Sequence, residues 1–497
     1  MIKERVRFAP SPTGPLHIGG LRTALFNYLY TKNVEGTFIL RIEDTDRKRF
    51  VKDSEKYIEE ALSWCGIVPD ESPALGGDYG PYRQSERIDL YREKIKILIE
   101  SNNAYYAFDS SEKLGELRKN EEGKGLIFKY DYSVRETLDN SLSMSDKDIS
   151  ERIKTSPYVI RLKVNAGETT SNDLLRGYVN VDNSVLDDKI LIKADGFPTY
   201  HFANVVDDYL MKITTVIRGE EWLPSLAVHS LIYKAFGWQE PSYLHLPLIL
   251  KPFGKGKLSK RDGTKGGFPV FPLVWEKEKG FKDLGFLKIG MVNYLALLGW
   301  NPGNNNELFS IRELIKYFKI EGLQKGGAKF DFEKAKWVNQ QHLSKINFED
   351  FEREFPGNVM SLKQNYPSKY EEVFLLVRER IKLADDLGDE INLFISDPRD
   401  YDQKTLNKLH AKADIEAVVG EIESVVKEKD LNSLKENLYV LSDDKNINFG
   451  LIMQLLRLAL VGKLSGPDII KASIIIEKDV TLRRLANLKN HIKNSIS

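Results

Sequence analysis

Residues 7–20, Arg7-Phe8-Ala9-Pro10-Ser11-Pro12-Thr13-Gly14-Pro15-Leu16-His17-Ile18-Gly19-Gly20, constrain the fold more than any other stretch. They begin in a short apolar strand (Val6, Phe8) and reverse through a Pro/Gly turn. They then open a helix whose apolar residues Ile18, Leu21, Leu25 and Tyr28 keep helical spacing. A strand, a tight turn and a helix N-terminus together form a place where backbone N–H groups can meet an anion. Gly19 and Gly20 carry no side chain, so a base or phosphate can come close to the first turn. His17 stands at its mouth. Taken alone, such a helix start is more often a turn with a satisfied histidine.

A chain of 497 residues is long enough for two or more domains with their own cores. Lys plus Arg equals Asp plus Glu at 73 each, so nucleic-acid contacts must come from local patches. Cys65 is the one cysteine, which excludes a disulfide framework and a multi-thiolate metal site. The N-terminus lacks a signal-peptide pattern, and no apolar run approaches membrane-spanning length. A cytoplasmic, soluble protein with no membrane partner is expected.

Thr37–Ile42 reads as a buried strand with Glu43-Asp44-Thr45-Asp46 at its carboxyl end, where open α/β sheets bind ligands. Asp44 and Asp46 read equally as helix-capping residues. A long amphipathic helix follows from Gln84 through Tyr91, Ile95, Leu98 and Ile99. Residues 106–189 are polar and charged and read as an insertion, with a strand at Tyr158–Leu162. The α/β pattern resumes at Lys189–Lys193, a helical segment runs from Tyr200 to about Met211, and Thr214–Ile217 is again a buried strand. It ends in Arg218-Gly219-Glu220-Glu221-Trp222, where Arg218 can grip a carboxylate bidentately. Phe253–Gly267 holds five glycines and five cations and reads as a flexible basic loop. Beyond Lys336 the pattern is helical, with stripes through Val373, Leu375, Leu376, Ile381 and Leu383, and through Leu451, Leu455, Leu458 and Val461. No barrel of strands is indicated there.

His17-Ile18-Gly19-Gly20 and Lys257-Leu258-Ser259-Lys260-Arg261 resemble the two ATP signatures of class I aminoacyl-tRNA synthetases. Arg7–Gly14, Arg41–Asp46, Tyr200–Ala203 and Arg218–Trp222 narrow the likeness to the bacterial type of glutamyl-tRNA synthetase. The resemblance implies a Rossmann-like class I catalytic domain (1–105 and 190–265) split by an inserted α+β acceptor-stem domain (106–189). A linking region (266–335) and an all-α anticodon-binding region (336–497) would follow. It implies ATP held by His17, Gly19, Gly20, Glu221, Trp222, Lys257, Ser259 and Lys260, with magnesium, and glutamate enclosed by Arg7, Ser11, Glu43, Tyr200, Asn204 and Arg218. His17, Lys257 and Lys260 would stabilise phosphate charge, with no covalent nucleophile. Many relatives carry zinc in the insertion; here the matching residues are Ala107, Phe108 and Asp109, and no histidine lies between 106 and 189. No zinc is therefore expected.

The implied activity is glutamate–tRNA ligation by a monomer: L-glutamate is activated with ATP, then transferred to the terminal adenosine of tRNA(Glu). A glutaminyl-tRNA synthetase and a non-catalytic tRNA-binding paralogue are the alternatives. The helical C-terminus speaks against the first, and the presence of both His17 and Lys260 against the second.

Overall fold

Strand β1 (Arg5–Phe8) and strand β2 (Thr37–Leu40) run parallel, with Val6 opposite Phe38 and Phe8 opposite Leu40. Helix α1 (Ile18–Asn33) connects them, burying Leu21, Leu25, Phe26 and Leu29. This is a βαβ crossover, the connection that parallel strands require. The computed structural model describes residues 3–496. After α2 (Ser54–Trp64), a 3-10 turn at Gln84–Arg87 leads into α3 (Ile88–Glu100), which buries Tyr91, Ile95 and Leu98. Asp44 accepts the Ser85 N–H at 2.8 Å and so caps that turn, while Asp46 pairs with Arg49. These two carboxylates take the capping and local roles.

The segment that follows divides between two sheets. β3 (Ala104–Ala107), β4 (Val159–Leu162) and β7 (Ile190–Ile192) form one antiparallel sheet, with α4 (Ser111–Gly123) and α5 (Asp146–Thr155) between β3 and β4. The hairpin of β5 (Glu168–Asp173) and β6 (Gly177–Asp182) instead joins β8 (Thr215–Gly219) and β9 (Ser242–Leu246) in the order β6-β5-β9-β8. The insert expected at 106–189 thus shares a sheet with the strand that carries Arg218. Thr214 ties β8 to β1: its N–H donates to the Arg5 carbonyl at 2.9 Å. Helices α6 (Tyr200–Leu210) and α7 (Leu226–Phe236) pack on each other.

At the position where the resemblance would place zinc, Asp109 accepts hydrogen bonds from Lys113 at 2.8 Å, Tyr130 at 3.0 Å and the Asp139 N–H at 3.2 Å. Phe108 lies beneath the Arg152 guanidinium. A structural zinc needs about four nitrogen or sulfur ligands, and these residues do not fit one. Elemental analysis of the purified protein should find no tightly held zinc, whereas one equivalent per chain would overturn this reading.

Beyond the short strand β10 (Ile249–Leu250), the basic segment is only partly a loop. Lys260–Gly266 forms α8, contrary to the flexible loop expected over 253–267. A capping box explains it: the Ser259 N–H and hydroxyl both donate to Asp262, at 2.9 and 2.6 Å. The left-handed Gly267 ends the turn.

The chain to Phe281 forms one compact unit with Val292–Phe332, and Lys282–Met291 forms a second with the chain from Glu333. The second unit is built of helices whose core includes Phe351, Phe374, Ile391, Val419, Leu455 and Leu485. Val373 and Ile381 are buried there, but Leu375 is exposed. The helix Tyr370–Val377 turns Val373, Phe374 and Val377 inward, which leaves position 375 on the opposite face. Arg484, buried, donates to the carbonyls of Leu393, Phe394, Ser396 and Leu460. It thereby satisfies the end of the Asp386–Ile395 helix. Among the described residues no helix is long and apolar enough to cross a membrane.

Candidate active site

The loop after β1, the start of α1, the end of β2, α6 and the end of β8 enclose a cleft of about 580 Å³. At one wall His17 is the N-cap of α1, and its Nδ1 accepts the Gly19 N–H at 3.1 Å. The hydrogen therefore sits on Nε2, which is buried and has no partner among the described residues. Burial, seconded by the Lys257 charge, pushes the His17 pKa down to about 4. The imidazole is therefore neutral and offers one N–H, the ring N–H that the sequence places at the mouth of this turn. The helix start is also less open than expected. Ile18 N–H is taken by the Val270 carbonyl and Gly19 N–H by His17, leaving Gly20 in the first turn. A Cβ on Gly20 would come within 2.7 Å of Leu16, so that glycine serves packing, whereas one on Gly19 would meet only His17 at 3.5 Å. Gly19 is the residue whose missing side chain leaves room for a ligand.

The opposite wall is a buried charge network. Arg7 holds Asp208 with two bonds of 2.9 and 3.1 Å, and Arg41 reaches the same carboxylate at 2.7 Å. Burial alone would raise the Asp208 pKa, but Arg7 and Arg41 outweigh it and hold it below the usual range. Arg41 and Asn204 both donate to Glu43 Oε1, at 3.1 and 3.0 Å. Glu43 is 6% exposed, and there burial prevails over Arg41 and Arg7 to raise its pKa. Ser11 lines the loop side of the same cleft. Tyr200 packs on Trp222 with ring centroids 4.4 Å apart.

Arg218 differs from the other cleft arginines. It is 5% exposed, and its Nη1 donates to the Tyr200 hydroxyl at 3.1 Å and to His229 Nδ1 at 3.2 Å. Among the described residues it makes no ion pair, and its buried Nη2 has no hydrogen-bond partner. A buried cation without a counter-ion is expensive unless an anion arrives. The Glu221 carboxylate folds over Gly219, where a Cβ would lie 2.0 Å from it, and accepts from Lys257 at 2.8 Å.

Ser259 and Lys260 stand outside the cleft lining: Ser259 caps α8, and Lys260 pairs with Glu278 at 2.7 Å. Lys260 lies 5.8 Å from the Phe271 ring, whose edge contact with His17 has centroids 6.2 Å apart.

A family described as the catalytic domain of class I tRNA synthetases (E and Q) matches residues 3–337, and an anticodon-binding domain family matches 347–489. A glutamate–tRNA ligase of Christiangramia forsetii is 48% identical, covering 99% of each chain. One of Flavobacterium psychrophilum is also 48% identical, covering 97% of this chain and 98% of that one. The chain belongs to the glutamate–tRNA ligase family. Its fold agrees with the crystal structure of a glutamate tRNA ligase from Elizabethkingia meningosepticum in complex with its amino acid. That structure has a TM-score of 0.90 at 44% identity and covers 98% of this chain and 99% of that one.

Sequence reasoning gives no role to several residues that build this family's cleft here. Arg22 braces it by donating to the carbonyls of Leu298, at 2.7 Å, and Pro247, and burial pushes its pKa down to about 10 against the pull of Glu221 and Glu220. Asp207 accepts from Arg87 at 2.6 Å, from Tyr91 at 2.7 Å and from Gln84 at 2.9 Å. Arg41, Asp207 and Asp208 each interrupt an apolar run, and a charge in such a run must find a partner. That was the available signal.

Proposed function

We propose that this chain is a glutamate–tRNA ligase that joins L-glutamate to tRNA(Glu) with ATP, in two steps. The observation that carries the reading is Arg218, a buried guanidinium lacking a protein counter-ion, in the same cleft as the free N–H of His17. Together they make a site for a carboxylate beside a site for phosphates.

The glutamate α-carboxylate attacks the ATP α-phosphorus in line, and pyrophosphate leaves. A ribose hydroxyl of the terminal tRNA adenosine then takes the glutamyl group, and AMP leaves. Positioning and charge stabilisation carry both steps. Glu43 attracts the substrate ammonium, Arg218 and Arg7 its carboxylates, and Tyr200, Asn204 and Ser11 complete the enclosure. Gly19 admits the nucleotide beside Glu221 and Trp222, the Gly20 N–H faces it from the first turn, and His17 Nε2–H donates to phosphate. Lys257 and Lys260 reach the leaving pyrophosphate once they give up Glu221 and Glu278, with Ser259 holding the turn between them. Among the described residues no three His, Cys, Asp or Glu side chains are grouped to hold a metal. Magnesium would therefore be carried by phosphate oxygens and water, where it neutralises charge. Residues 106–189 would meet the acceptor stem, 266–335 would link the two parts, and the helical region from 336 would meet the anticodon.

ATP–pyrophosphate exchange tests the reading. Exchange should depend on glutamate and not on glutamine, and should be suppressed roughly a thousandfold without tRNA, a barrier of about 4 kcal/mol. Both lysines of the arm sit in ion pairs, and tRNA can favour their release only by its differential affinity for the released form. Exchange supported by glutamine would refute the assignment, and equal rates with and without tRNA would refute the gate alone.

A further inference from the structure

Arg218 is held from behind by a chain of hydrogen bonds that ends on a strand of the inserted segment. Its Nε donates to His245 Nε2 at 3.0 Å. Arginine has no acceptor, so that ring nitrogen must carry a lone pair and the hydrogen must sit on Nδ1. His245 Nδ1 lies 2.7 Å from Asp173 Oδ2, which accepts it. The same oxygen accepts the His245 N–H at 2.9 Å, and Oδ1 accepts the N–H groups of Leu175 and Arg176 at 2.9 and 2.8 Å. Asp173 and His245 are both buried, and strand pairing sets Asp173 beside Tyr243. On the other side His229 Nδ1 accepts from Arg218, which puts its hydrogen on Nε2, toward His201 Nδ1 at 3.2 Å. Two neutral imidazoles thus occupy Nε and Nη1 without neutralising the guanidinium, and Nη2 is left for a ligand.

We propose that Asp173 and His245 are positioning residues for glutamate recognition: Asp173 fixes the His245 tautomer, and His245 fixes the plane of Arg218. A carboxylate in place of His245 would hold the arginine as firmly but would compete with the substrate for its charge. This proposal rests on the function given above.

The experiment measures pyrophosphate exchange with tRNA present, for the parent, His245→Phe, His245→Gln and Asp173→Asn. His245→Phe should raise KM for glutamate about tenfold while KM for ATP stays within about twofold, as expected for lost orientation of one charged hydrogen bond. His245→Gln keeps an acceptor within reach of Arg218 Nε and should recover most of that loss. Asp173→Asn turns an N–H toward His245, favours the wrong tautomer, and should also raise KM for glutamate selectively. If His245→Phe does not fold, the contrast between the Gln and Asn variants carries the test. Glutamate KM near the parent value in both His245→Phe and Asp173→Asn, or parallel losses for glutamate and ATP, would overturn the proposal. A parent protein without glutamate-dependent exchange would overturn the proposed function and this proposal with it.

Discussion

Lys260→Ala lowers the rate of glutamate-dependent pyrophosphate exchange by about two orders of magnitude or more, and leaves tRNA affinity close to that of the parent. One preorganised charge at a departing phosphate has this worth, because it meets charge that develops only as the bond breaks. The fold does not depend on Lys260. Its side chain is half exposed, and its ion pair with Glu278 is a surface pair of the kind that contributes little to stability. Helix α8 keeps its Ser259–Asp262 cap without it. Single-turnover exchange and a tRNA binding titration on the same sample check both halves. Near-parent exchange would remove Lys260 from the mechanism.

Arg218→Ala and Arg7→Ala should part company. Arg218 has no carboxylate partner among the described residues, so its loss leaves no buried anion behind. The variant should keep or exceed the parent's thermal stability while KM for glutamate rises about a hundredfold and KM for ATP does not, the scale of losing a charge-assisted hydrogen bond. Arg7→Ala removes one of two cations from Asp208, in a network where both side chains are almost wholly buried. Breaking such a buried pair costs about 3–5 kcal/mol. Its glutamate defect should therefore come with a lower melting temperature. Calorimetric melts beside exchange kinetics decide the matter; a destabilised Arg218→Ala protein would mean that this arginine is structural.

The elements around the cleft are legible because apolar period and turn residues act over short stretches. β1, α1, β2 and β8 each announce themselves in about ten residues. Helix α8 hides because its glycines and lysines outvote it in any propensity count. Its signal is local chemistry, a serine with an acid three residues on. Asp208 is harder still, since Arg7 and Arg41 lie 201 and 167 positions away. An acid within an apolar helix face states that a partner must exist without saying which. The histidines behind Arg218 carry no sequence signal of that kind, since a lone histidine in an apolar strand is compatible with many quiet roles. The neutral state of His17 likewise follows from burial and a cap that only the folded chain reveals.

The β5–β6 hairpin bears on how freely this architecture can be trimmed. A shortened version that passed directly from β3 to β7 would keep every signature residue of the nucleotide cleft. It would nevertheless strip β9 of the neighbour at its outer side. The bare rim would offer unpaired backbone groups to any extended chain, the usual start of edge-to-edge aggregation. Minimal versions of the catalytic half therefore need a replacement strand along β9, and in it, opposite Tyr243, a carboxylate to accept from His245.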